Sequence, residues 1–171
     1  LSAVSPVPGQ RSILVPLRDI RAPTPYMHDN TDEAFNALRQ HVAAETGWDF
    51  LANLDNAYLP LTTPSYPGLE ESWLYTGRAF SVNTAPLSAG WIAMEREDIA
   101  GLTYWRMFLR ARFQDGSQGQ PLSQRPWDLN ARYKGQAKAY EQGGDYGEIP
   151  SGYWVDFTEL ASRYGWERLP A

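Results

Sequence analysis

Apolar residues recur at helical spacing at Phe35, Leu38 and Val42, and they predict a helix opening at Asn30 and stopping at Gly47. Asn30 is a good N-cap residue, and Glu33 three positions on completes a capping-box pattern. Strand-like stretches follow further along. "WIAMERED" (91–98) and "LTYWRMFLRARF" (102–113) predict two strands joined by a tight turn near Ala100 and Gly101. In the second strand Trp105, Met107 and Leu109 share one face and Arg106, Arg110 and Arg112 the other, which predicts an apolar side turned inward and a cationic side turned outward. A last helix is expected from about Asp156 to Tyr164, closed by Gly165.

Between these elements the pattern weakens. Residues 1–28 contain Pro6, Pro8, Pro16, Pro23 and Pro25 and read as an extended leader, with the apolar run 13–15 able to form an edge strand. A short helix near Phe50, Leu51 and Leu54, an extended exit at 58–61 and a turn-rich loop at 62–70 follow. Residues 79–82 predict a short strand. Residues 114–150, rich in glycine and poor in aliphatic side chains, predict a long and mainly irregular excursion anchored by "RPWDLNARY" (125–133). The expected organisation is a leader over 1–28 and a single domain over 29–171.

A chain of 171 residues can bury a core without disulfides or metal. It has no cysteine, which excludes disulfide frameworks and thiolate metal sites. A net charge of −5 argues against nucleic acid or an anionic membrane as the main partner, and no apolar run approaches the roughly 18–20 residues that span a bilayer. The chain opens on Leu1, the expected mark of a processed or excised protein whose signal peptide, if it has one, lies upstream. The 7 tryptophans and 10 tyrosines are a heavy load for this length. Such side chains build cores, and they also line sugar and peptide grooves.

Catalytic groups are sparse. The two histidines, His28 in the leader and His41 on the first helix, have no spacing that suggests metal binding, and H-E-x-x-H and G-x-S-x-G are absent. A Ser-His-Asp triad has no histidine to spare. Glu95, Glu97 and Asp98 read as a solvated strand end and turn, Glu70 and Glu71 precede "SWLYTGRAFSVN" (72–83), and "QDGSQGQ" (114–120) is a turn rather than a phosphate loop. Two carboxylates facing one cleft would suffice for glycoside hydrolysis, but spacing alone does not bring any pair together.

Ser72, Gly77 and Ala79 form an S-x-x-x-x-G-x-A frame, and "FTELASRYGW" (157–166) forms a second block. In this order they resemble the D-alanyl-D-alanine carboxypeptidase family of zinc peptidases. The resemblance covers about 30–83 and 151–169. It implies an α+β fold of hedgehog type, a small antiparallel sheet with helices packed on one side. The family's zinc-binding histidine and aspartate would fall at Leu74 and Ser81, neither of which can replace them. Its general base and second zinc-binding histidine would lie beyond Ala171.

The expectation is therefore a non-catalytic relative with no metal and no cofactor, in the cell envelope or outside the cell, of unknown oligomeric state. Its expected ligands are peptidoglycan, a peptide or a polysaccharide, held at Ser72, Leu74, Arg78 and Ser81, with Arg106 and Trp127 as further candidates. A cell-wall or glycan hydrolase, using carboxylates or residues beyond Ala171, and a purely structural interaction domain stand as alternatives.

Overall fold

The computed structural model describes residues 13–63 and 72–171. The architecture is α+β, with four α-helices and four small antiparallel sheets among the described residues, where one sheet was expected. Two compact units divide it, the described residues of Leu1–Arg39 with Phe50–Asn83, and Gln40–Asp49 with Thr84–Ala171.

In the first unit, strands β1 (Leu14–Pro16) and β2 (Tyr26–His28) pair antiparallel. The stretch read as a leader is thus built into the unit from residue 14 onward. Helix α1 (Asp32–Thr46), which belongs to this unit only as far as Arg39, begins two residues after the expected cap. The reason is local: the Asn30 backbone N–H donates to His28 Nδ1 at 3.1 Å, so Asn30 lies in a turn, and the Thr31 carbonyl accepts the first helical hydrogen bond from Phe35. Gly47, with φ of 78°, ends the helix as predicted. A 3-10 turn at Phe50–Ala52 leads to β3 (Leu54–Asn56), which pairs with β4 (Ser81–Val82) through a bulge. Met27, Phe35, Leu38, Leu51 and Leu54 are buried here.

The second unit holds the short helix α2 (Ala85–Ser88) and the hairpin of β5 (Ile92–Ile99) and β6 (Leu102–Arg110). The hairpin turn falls at Ala100 and Gly101, both with positive φ (51° and 82°), the backbone that suits a two-residue connection between twisted strands. Residues 114–150 are more ordered than expected. They contain β7 (Trp127–Asp128), a 3-10 turn at Leu129–Tyr133, α3 (Ala137–Glu141) and β8 (Asp145–Tyr146), with β7 and β8 paired. Strand β9 (Trp154–Asp156) adds to β6 and runs directly into α4 (Phe157–Arg163).

The register sorts the side chains of this three-stranded sheet. Ile92, Met94, Met107, Leu109 and Val155 share one buried face. Ala93, Glu95, Arg106, Phe108, Arg110, Trp154 and Asp156 share the other. The cationic face predicted to point outward is not open: Leu122 packs on Ala93 and Trp154, with Phe108 beside them.

Candidate functional site

On this second face lies a cleft of about 480 Å³, wholly within the second unit. Its floor comes from three strands through Glu95, Arg106, Phe108 and Trp154. One wall is the segment 119–124, pinned to β9 by reciprocal backbone bonds of 2.8 Å between Gln120 and Trp154. The opposite side carries Glu159, Leu160 and Arg163 of α4.

Arg106 organises the floor. Its Nε donates to Asp156 Oδ2 at 2.8 Å, Nη2 donates to the same oxygen, and Nη1 lies 3.7 Å from Glu97. Glu97 is shared with Arg168, 2.7 Å away. Asp156 also caps α4, its Oδ1 accepting from the Glu159 backbone N–H at 2.9 Å. At the rim Arg163 pairs with Glu159, and Glu45 lies 3.4 Å from His41. Both guanidiniums of the cleft are engaged by carboxylates.

Glu95 differs from its neighbours. It lies mid-strand, opposite Arg106 in register, and is only 6% exposed. No described residue donates a hydrogen bond to its carboxylate. Burial pushes its pKa up from the ordinary glutamate value; Arg106 opposes this, while the charges of Glu97 and Asp156 add to it. The reading of Glu95 as part of a solvated turn is corrected, because the 119–124 segment covers its face of the sheet. Asp98 does match that reading, exposed and bonded to Thr103 and Arg96, and Asp115 forms the expected turn with Ser117.

A raised carboxyl pKa has a definite consequence for stability. The folded state holds the Glu95 proton more tightly than the unfolded chain, so its contribution falls as pH rises from about 4.5 through the folded pKa. Glu95→Gln removes this term. Urea titrations from pH 4 to 8 are expected to show the variant gaining on the parent as pH rises; parallel curves would count against a buried, ionisable Glu95.

The residues expected at the site fall in both units. Ser72 caps a 3-10 turn at Trp73–Thr76, its hydroxyl accepting from the Leu74 N–H at 3.3 Å. Leu74 is buried in the first unit, and its carbonyl accepts from Leu59 and Gly77. Arg78 is exposed, and Ser81 stands in β4 opposite Asn56. Gly77 has φ of 67°, and a Cβ there would lie 2.7 Å from a Leu14 methyl and 3.0 Å from the His28 nitrogen. That crowding accounts for the glycine without any metal chemistry. The donor set at 74 and 81, an apolar side chain and a neutral hydroxyl, does not fit zinc. Among the described residues no group of three or more His, Cys, Asp or Glu could hold a metal ion.

Of the two further candidates, Arg106 sits in the cleft. Trp127 is buried elsewhere in the second unit, edge-on to Tyr146 at 5.0 Å with Arg96 over its ring. Reasoning from sequence missed Glu95, Leu122 and Trp154. The alternation of β5 and β6 places Glu95 beside Arg106; nothing in the pattern of 114–150 shows that Leu122 would cover them. Glu70 and Glu71 lie outside the described residues.

No helix among the described residues is long and apolar enough to cross a membrane. Comparison with known proteins gives no family model, curated protein or solved structure that matches the chain.

Proposed function

We propose that this chain is a non-catalytic binding domain that holds a peptide- or glycopeptide-like ligand in the β5–β6–β9 cleft. The observation that carries the reading is Glu95, a buried carboxylate with no described donor in the floor of an open cleft. With no protein donor of its own and an open cleft before it, such a carboxylate is available to a ligand that supplies one. Kinship with hedgehog-type carboxypeptidases belongs to the same proposal, resting on Ser72, Gly77, Ala79 and 157–166. With it come peptidoglycan as the ligand and the cell envelope or exterior as the location.

Co-sedimentation with purified peptidoglycan tests this. Saturable binding that weakens in Glu95→Gln is the expected result, and a chain that stays in the supernatant would leave the purely structural role. Stoichiometric zinc in protein purified without chelator would overturn the non-catalytic part. A second reading, a carboxylate hydrolase, is favoured by Glu95 and Asp156 lining the same cleft, one able to hold a proton and the other bound to Arg106. Release of reducing ends from a glycan substrate would decide for it.

A further inference from the structure

We infer that the cleft binds a primary ammonium group on a short alkyl chain, such as the side chain of a diamino acid, with Glu95 as its anionic seat. This rests on the reading of the cleft as a binding site and names the chemistry it selects.

The charge balance favours a cation. Glu45, Glu95, Asp156 and Glu159 line the cleft against only Arg106 and Arg163, and both of these are held by carboxylates. An anionic ligand would find neither arginine lining the cleft free of a carboxylate and would face Glu95 directly. A neutral hydroxyl could donate one hydrogen bond to Glu95 but would leave the excess negative charge in place. An ammonium supplies up to three donors and the missing charge together, and charge-assisted bonds are the stronger kind.

The acidic rim would not by itself make a site. Glu95 supplies the independent observation: it is 94% buried by its 6% exposure, has no described hydrogen-bond donor, and lines this cleft rather than the outer surface. Phe108, Leu122 and Leu160 line the same cleft with apolar surface suited to a methylene chain. The faces of Phe108 and Trp154 are each already covered by an arginine, Arg106 and Arg110, so the ammonium is seated by the carboxylate and not by an aromatic ring.

Pentylamine and pentanol, matched in length, are the probes, followed by amide NMR shifts on the full chain. Pentylamine is expected to give saturable shifts centred on 93–95, 106–108 and 120–122, and pentanol to give none there. Glu95→Gln, which removes a charge from a covered position and should fold, is expected to weaken pentylamine roughly tenfold or more. Equal binding of pentanol, or undiminished pentylamine binding by the variant, overturns the inference. Peptidoglycan with its free amines acetylated separates this from the broader reading. Retained binding of acetylated material without pentylamine binding sinks the ammonium inference alone; pentylamine binding without any peptidoglycan binding sinks the ligand proposed above and leaves the ammonium site standing.

Discussion

Gly119→Ala is expected to lower stability by about 3–5 kcal/mol, far more than the same change at Gly90. Both glycines have positive φ, 67° and 73°. An alanine at either position therefore meets the left-handed penalty of roughly 1–2 kcal/mol. The surroundings separate them. A Cβ at Gly90 would meet nothing within 4 Å, whereas one at Gly119 would lie 2.6 Å from the Trp154 carbonyl oxygen and 2.9 Å from its nitrogen. Those atoms are backbone, held by the paired bonds to Gln120, and cannot swing aside as a side chain would. Relief requires 119–124 to lift off β9, which would open the cleft wall and uncover Glu95. Urea unfolding of the two variants side by side checks this; equal losses would mean that the close approach contributes nothing.

The hairpin was legible because two independent signals agreed on it, the alternation of its second strand and a tight turn near Ala100 and Gly101. Helices α1 and α4 were legible for similar reasons, each with an apolar stripe and a glycine stop. Strands of two or three residues were harder, since so few positions cannot display a period. β9 was hidden inside the run-up to α4, and β7 and β8 inside a stretch poor in aliphatic residues. The cleft was hidden in a different way. Ser72 and Gly77 were singled out by spacing, and the structure gives them jobs as cap and close-packed turn. Glu95 looked ordinary in a run of charges, because the other residues that line its cleft, Gln120 and Leu122 among them, lie far away in the chain.

The same physics turned a supposed cationic face into an acidic cleft. Arg106 alternates outward from the apolar face as predicted, yet β5 brings Glu95 and Glu97 beside it and β9 brings Asp156. A strand's own sequence fixes which way its side chains alternate. Its neighbours fix what charge they meet.

Trp127→Ala is expected to cost about 3–5 kcal/mol, the range for deleting a large buried aromatic side chain. Trp127 is 6% exposed and pairs in register with Tyr146, so its ring joins β7 to β8 as well as packing against Trp105 and Arg96. Trp127→Phe keeps an aromatic edge for Tyr146 and should lose much less. If the ring acts mainly by pinning 125–147, hydrogen exchange in the alanine variant should accelerate there before it does in β5 and β6. The β5–β6 ladder has its own backbone bonds and its own buried face, and does not need Trp127 to stay paired. A uniform rise in exchange across both regions would instead make Trp127 part of a single cooperative core. Unchanged exchange and an unchanged urea midpoint would remove it from the stabilising residues altogether. A ligand role for the ring predicts a different pattern, lost binding at unaltered stability, and its burial beneath Arg96 and beside Tyr146 argues against that outcome.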